Sequence, residues 1–210
     1  MFHPHILSEE QKDLLKLLKS FRRNYYLVGG TAIALQIGHR RSIDFDLFTS
    51  KKIDRLKIKK TLSDESPGQM KFGYEDSEQI HLKINSVKFT FFCFPYVIPA
   101  KVDYEKIIKM PTLLDLAAMK AFAFAERAKW KDYVDMYFLI KNHFGINEIS
   151  KRTEELFNIN QGVVFSKKLF VQQLAFFKDI NYDESVDYIS TPIPEEEIKN
   201  FLTEVSTASF

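Results

Sequence analysis

The sequence contains a single cysteine and no long hydrophobic run. Cys93 lies in the apolar stretch FTFFCFP, so an intrachain disulfide is excluded and we interpret the thiol as a small buried side chain. The apolar segments fall far short of the roughly 20 residues that a membrane helix needs. The N-terminal residues MFHPHILSEEQ lack the features of a signal peptide. These absences favour a cytoplasmic protein with no membrane partner.

The sequence also lacks an excess of charge of either sign. Thirty Lys and Arg residues stand against 28 Asp and Glu residues, which gives a formal net charge of +2. The net charge of the protein therefore gives no indication of nucleic-acid binding, and any basic surface must be local. His3, His5, His81 and His143 have no metal-ligand spacing, which argues against zinc. The composition is that of an ordinary globular protein.

Hydrophobic patterning divides the chain into a mixed α/β part and a helical part. Helical spacing follows a capping box at Ser8 and Gln11. Short runs of alternating or β-branched and aromatic residues predict strands over 25–28, 42–48, 69–75, 79–84 and 87–94. We expect Pro95 and Pro99 to end the β region. After Pro111 the composition becomes strongly helical. The sequence predicts an α+β fold to about residue 100, followed by helices.

Two aspartates alternate with large apolar residues in SIDFDLF. Because alternate residues of a strand share a face, Asp44 and Asp46 point the same way, while Phe45 and Leu47 face the core. Two carboxylates so close repel each other unless a cation lies between them. One or two carboxylates together with substrate phosphates are typical ligands of Mg²⁺. The pattern alone leaves two interpretations open, a metal site and the polar side of an exposed strand.

A glycine pair lies between a predicted strand and a predicted helix in YLVGGTAIALQIG. Gly29 and Gly30 would allow the backbone to approach a phosphate closely, at a helix N-terminus that supplies N–H donors. The hydroxyl of Thr31 could add a further donor. The alternative is a simple tight turn, which would not require two acids on the following strand.

These residues resemble a known pattern. A strand, a Gly-Gly turn, a short helix and then apolar-Asp-apolar-Asp is similar to the polymerase-β-like nucleotidyltransferase superfamily. More narrowly, GGTAIAL and GHRRSIDFDLF resemble the AbiEii/AbiGii-type nucleotidyltransferase toxins, in which Arg40, Ser42, Asp44 and Asp46 match an R-x-S-x-D-x-D run. The segment LLDLAAMKAFAFAERAKWKDYVDMYFLI resembles the helical part of the same family, and together the motifs cover about residues 25–140.

The resemblance implies a nucleotidyltransferase core with a small mixed β-sheet flanked by helices in residues 1–105. It implies a helical C-terminal domain that closes the cleft in residues 106–210. Within the second segment, Lys120 matches a family lysine, although a mid-helix lysine can also reach solvent. Asp132 and Asp135 lie at i and i+3 on one helix, and a helix cap is an alternative role for Asp132. Arg127, Lys129 and Lys131 would form either a basic rim or a solvated helix end.

The implied activity is transfer of an NMP from an NTP to an acceptor, either RNA such as a tRNA end or a protein. The cofactor would be Mg²⁺ or Mn²⁺ held by Asp44 and Asp46. One of Arg40 and Arg41 is expected to meet phosphate and the other to pair with an aspartate. Resemblance also implies a toxin of a toxin–antitoxin or phage-defence system, with an antitoxin protein as partner. The catalytic residues would be Asp44, Asp46, Lys120, Asp132 and Asp135, and the nucleotide-binding residues Gly29, Gly30, Thr31, Arg40, Arg41 and Ser42.

One position departs from the superfamily pattern. Many members carry a third carboxylate on a later strand, but the strand VKFTFF has Thr90 at the expected place and contains no acid. A site with two carboxylates can still hold one metal ion, whereas two-metal chemistry and a carboxylate general base are in question. The alternative function is a catalytically impaired nucleotide-binding module that acts through protein interaction.

Overall fold

The computed structural model describes residues 1–66, 68–124, 129–158 and 165–209. The chain divides into two compact units, Met1–Thr112 and Leu113–Phe210. This division lies seven residues beyond the predicted boundary at residue 105, because a short strand that follows this position belongs to the sheet of the first unit.

The first unit combines four α-helices with seven strands over its described residues. A short 3-10 turn, Pro4–Ile6, precedes the first helix. The helices are α1 (Glu9–Asp13), α2 (Leu15–Phe21), α3 (Gly29–Ile37) and α4 (Arg55–Glu65). The strands are β1 (Tyr26–Val28), β2 (Asp44–Thr49), β3 (Met70–Glu75), β4 (Gln79–Ile84), β5 (Val87–Cys93), β6 (Val102–Tyr104) and β7 (Ile108–Met110).

One mixed sheet contains all of these strands in the order β3-β4-β5-β2-β1-β7-β6. The central strand β2 is antiparallel to β1 and parallel to β5. Phe45 and Leu47 are completely buried, as are Phe89 and Phe91 on β5. Alternation along each strand therefore gives the sheet one face in the core of this unit and leaves the intervening side chains of β2 on the opposite face.

Strands β6 and β7 correct the prediction that the β region ends at Pro95 and Pro99. Each has three residues, which is too short for a period-two pattern to stand out in the sequence. They pair antiparallel across a tight turn in which Glu105 and Lys106 have positive φ.

The second unit is built from helices over its described residues. Completely buried side chains such as Tyr133, Met136 and Phe170 form its core. The α+β fold predicted from the sequence is confirmed. No helix in the described ranges is both long enough and apolar enough to cross a bilayer. The helices are α5 (Leu113–Phe124), α6 (Trp130–Asn142), α7 (Ile146–Phe157), α8 (Lys167–Leu174) and α9 (Glu195–Thr207).

Candidate functional site

Gly29 and Gly30, which we call the glycine elbow, join β1 to α3. Val28 ends the strand in extended conformation, and Gly29 begins the helix with φ of +73°. A Cβ on Gly29 would overlap Oδ2 of Asp46. The carboxylate of Asp46 therefore lies directly against the backbone of Gly29, at the N-terminal end of a helix, where a negative charge is favoured. The left-handed φ favours glycine at this position, and a side chain here would also have to displace the Asp46 carboxylate.

The segment 40–42 lies against the second glycine of the elbow. A Cβ on Gly30 would come within 2.6 Å of Nη2 of Arg40 and 3.0 Å of Oγ of Ser42. Arg40 is buried, and its Nη1 donates a hydrogen bond of 2.9 Å to the carbonyl of Arg41. The side chain of Arg41 is exposed. The structure thus brings a guanidinium, a hydroxyl and the start of α3 to one turn.

The two acids of β2 lie on the face of the sheet opposite the core. Asp44 and Asp46 are both partly exposed. Asp46 is in register with Val28 on β1 and with Thr90 on β5. The shared face agrees with the alternation in the sequence, and the contact between Asp46 and Gly29 links the acid pair to the glycine elbow.

Thr31 has a different position from the one expected of a phosphate ligand. Its side chain is buried, and its hydroxyl donates to the main-chain carbonyl of Asp44 and, at 3.2 Å, to that of Ser42. The hydroxyl therefore fastens α3 to the start of β2. We assign Thr31 a role in holding the elbow against the acid pair.

Three rows of side chains cross the same face of the sheet, because residues in register on neighbouring strands point to the same side. The row of Asp46 continues through Thr90 to His81. The row of Phe48 continues through Phe92 to Gln79. The row of Asp44 continues through Lys88, Lys83 and Lys71.

Sequence reasoning missed the three lysines and the histidine of these rows. All of them occupy alternate positions of predicted strands, so their common face could have been read from the sequence. Their alignment with the acid pair depends on strand register, which the sequence does not state.

His81 belongs to a polar network on this face. Its Nε2 lies 2.8 Å from Oε1 of Gln79, and its Nδ1 lies 3.4 Å from Oγ1 of Thr90. Burial and the charge of Lys88 lower the pKa of His81, while the charges of Asp46 and Asp76 oppose the shift. The ring is therefore neutral at neutral pH.

In the second unit, Lys120, Asp132 and Asp135 form one buried cluster. Nζ of Lys120 lies 2.7 Å from Oδ1 of Asp132 and 2.6 Å from Oδ2 of Asp135. The three side chains are at most 6% exposed, so Lys120 does not extend into solvent. The carboxylate of Asp132 binds this lysine, and we therefore set aside its alternative role as a helix cap. Two carboxylates one turn apart on α6 hold the ammonium group of α5.

The predicted basic rim is partly neutralised. Lys129 lies 2.9 Å from Oε1 of Glu184, and Lys131 contacts the other oxygen of the same carboxylate. Arg127 lies outside the described residues. The two described lysines therefore form an ion-pair cluster with Glu184.

The acid pair suits a hard divalent cation. No group of three or more His, Cys, Asp or Glu side chains suited to a metal occurs in the described part of the chain. The available donors are two partly exposed carboxylates on one face, one of which lies against the glycine elbow. Mg²⁺ keeps several waters and accepts one or two carboxylates together with phosphate oxygens, so this donor set fits it.

Comparison with known proteins assigns the fold and then the family. The nucleotidyltransferase toxin MenT4 of Mycobacterium tuberculosis superposes with a TM-score of 0.61 over 93% of this chain and 80% of its own, at 13% identity. JHP933 of Helicobacter pylori gives a TM-score of 0.56 over 96% of this chain and 92% of its own, at 18% identity. The fold is therefore that of a nucleotidyltransferase.

The family model described as "Nucleotidyl transferase AbiEii toxin, Type IV TA system" matches residues 13–208. An uncharacterised protein of Aquifex aeolicus is 30% identical over 182 residues, which cover 82% of this chain and 84% of that protein. The chain belongs to the AbiEii nucleotidyltransferase toxin family, as the resemblance of its motifs predicted.

Proposed function

We propose that this protein transfers an NMP from an NTP to a nucleic-acid acceptor, with Asp44 and Asp46 as the ligands of Mg²⁺ or Mn²⁺. The observation that carries the proposal is the contact between the Asp46 carboxylate and the backbone of Gly29. It joins a metal-binding acid to a phosphate-binding turn. In the reaction, an acceptor hydroxyl attacks the α-phosphorus of the NTP, and pyrophosphate leaves.

The glycine elbow is suited to the triphosphate. The first N–H groups of a helix have no partner within the helix, and they bind phosphate oxygens readily. Ser42 and Arg40 add a hydroxyl and a guanidinium at the same turn. Arg41 adds a positive charge nearby. When bound, the metal ion would neutralise the charge that develops on the phosphate oxygens.

We further propose a functional role for the buried cluster of the second unit. Lys120 would serve as a phosphate partner, with Asp132 or Asp135 orienting the nucleophile or the ammonium group. The support is the family resemblance of this segment together with the two ion pairs that fix the lysine. A flexible lysine that is held in one geometry loses less entropy on binding an anion.

The row of lysines favours a nucleic-acid acceptor over a protein. Lys71, Lys83 and Lys88 are exposed, and none pairs with an acid of the described chain. Like charges in register across neighbouring strands destabilise a sheet. A phosphodiester backbone along the row would relieve this repulsion, and the row ends at Asp44. We therefore propose RNA as the acceptor.

Family membership suggests an antitoxin protein as partner. We propose that this chain is the toxin of such a pair and acts in the cytoplasm. Co-expression with the product of a neighbouring reading frame tests this, because a cognate antitoxin should relieve growth inhibition by the wild-type chain.

The activity can be tested by incubating the protein with each α-labelled NTP, Mg²⁺ and total RNA. Wild-type protein should incorporate label into RNA, and Asp46→Asn should abolish incorporation and weaken Mn²⁺ binding. Asp54→Asn is the matched control, since Asp54 caps α4 and asparagine also caps helices well. Undiminished incorporation by Asp46→Asn would contradict the proposal.

A second function is favoured by Thr90, which lies in register with Asp46 on a strand without acids. The chain would then bind NTP and act through protein interaction. Saturable NTP binding by the wild-type protein, without label in RNA or protein, would establish this alternative.

A further inference from the structure

We infer that His81 acts as the general base of nucleotidyl transfer, with Thr90 as the relay between its ring and the acceptor hydroxyl. The inference rests on the proposed function and assigns a role to two residues that the proposed mechanism has not used. Thr90 and His81 extend the row of Asp46 across the sheet, one and two strands away. Because neighbouring strands lie about 4.8 Å apart, the hydroxyl of Thr90 is next to the acid pair.

Hydrogen bonds fix which ring nitrogen carries the proton. Asp76 accepts the main-chain N–H groups of Glu78 and Gln79 at 2.7 and 2.9 Å, and the hydroxyl of Tyr74 at 2.8 Å. It therefore behaves as an ionised acceptor, and these hydrogen bonds, with one from the side chain of Gln79, lower its pKa to about 2. The amide group of Gln79 donates to this carboxylate at 3.2 Å.

This arrangement turns the amide oxygen of Gln79 toward the ring. Oε1 accepts from Nε2 of His81, so the proton of the neutral ring lies on Nε2. The lone pair of Nδ1 is left to face Oγ1 of Thr90 at 3.4 Å. Catalytic hydrogen bonds are often long without substrate and shorten in the reacting complex.

The charged and titratable groups around the ring keep it neutral and ready to accept a proton. Burial is the largest effect on the pKa of His81, and Lys88 on β5 acts in the same direction. Asp46 on β2 and Asp76 before β4 act in the opposite direction but do not outweigh them. The ring of Tyr74 on β3 lies with its centroid 6.2 Å from that of His81.

In the proposed step, one proton passes from the acceptor hydroxyl through Thr90 to His81. The acceptor hydroxyl loses its proton to Oγ1 of Thr90 as its oxygen bonds to the α-phosphorus, and the bond from that phosphorus to the bridging oxygen breaks. The hydroxyl proton of Thr90 passes at the same time to Nδ1 of His81. Pyrophosphate leaves with the bridging oxygen, and the imidazolium then releases one proton to solvent. A neutral histidine thus performs the step for which β5 has no carboxylate.

Single-turnover rates of label transfer as a function of pH test the relay. Wild-type protein should lose rate as the pH falls through a single ionisation below the ordinary histidine pKa, because protonated His81 cannot accept a proton. His81→Gln should lose this pH dependence and react about 10²–10⁴-fold more slowly, with NTP affinity unchanged. Thr90→Val should show a similar loss, and Thr90→Ser should restore most of the rate.

His143→Gln is the control for the substitution, since His143 is an exposed histidine of the second unit. It should keep both the rate and the pH profile. Wild-type rate and pH dependence in His81→Gln, or full activity in Thr90→Val, would overturn the inference while leaving the proposed function intact. Absence of label transfer by the wild-type protein would instead overturn the proposed function, and this inference with it.

Discussion

Replacing Gly29 by alanine tests whether the acid pair depends on the glycine elbow. Gly29 has φ of +73°, and a Cβ there would overlap Oδ2 of Asp46. A residue with a Cβ in the left-handed region costs about 1–2 kcal/mol. The overlap adds little to this, because the carboxylate can rotate away. We therefore expect the free energy of unfolding to fall by about 1–2 kcal/mol.

Activity should suffer far more than stability. A rotated Asp46 carboxylate leaves the position in which it would hold a metal ion beside the elbow. Misplacement of a reacting group by about 1 Å can cost about 10²-fold in rate, so Gly29→Ala should lose at least about 10²-fold in label transfer. Its affinity for Mn²⁺, measured by electron paramagnetic resonance, should fall in parallel.

Gly38→Ala is the matched control. Gly38 ends α3 with φ of +69°, and a Cβ there would come within 2.6 Å of Nδ1 of His3, a ring outside the acid pair. Urea unfolding followed by circular dichroism should give similar losses of stability for both variants, while only Gly29→Ala loses activity and Mn²⁺ binding. Equal activity in the two variants would refute the dependence of the acid pair on the elbow.

Three further predictions concern other contacts. Lys120→Met should lower the free energy of unfolding by about 3–5 kcal/mol, because it leaves two buried carboxylates without their cation. Lys199→Met, which breaks an ion pair that is partly open to solvent, should cost less than about 1 kcal/mol in the same urea titration. Burial acts to raise the pKa of Glu184, but its two lysine partners outweigh burial and lower the pKa to about 2. This carboxylate therefore stabilises the fold above its unfolded pKa and loses that effect as the pH falls toward 2, so Glu184→Gln should flatten the acid dependence of stability between about pH 5 and 2. Thr31→Val should lower the free energy of unfolding by about 1–2 kcal/mol through the lost hydrogen bonds, and Thr31→Ser should lower it much less. Equal urea midpoints for Thr31→Val and the wild-type protein would contradict the role of that hydroxyl.

The local parts of the site could be predicted from the sequence. The common face of Asp44 and Asp46 follows from period-two alternation, and the end of α3 follows from Gly38, because both depend on neighbouring residues alone. The contact between Gly29 and Asp46 could not be predicted in the same way. Its closeness depends on how β1 pairs with β2, which the sequence does not specify.

Other features depend on tertiary packing and could not be predicted. The polar network of His81 requires the register of β4 on β5. The sequence left open whether Lys120 reaches solvent, and the structure instead buries it between two aspartates. A buried charge becomes tolerable only once its partners are in place, and those partners come from the following helix.

The elbow and the acid pair lie close together along the chain. Fewer than twenty residues separate Gly29 from Asp46, whereas more than forty separate Asp46 from Thr90. Closing a short loop costs less entropy than closing a long one, and local pairings form sooner. During folding, we therefore expect the β1–α3–β2 segment to assemble first and to serve as the template on which β5, and with it Thr90 and His81, later docks.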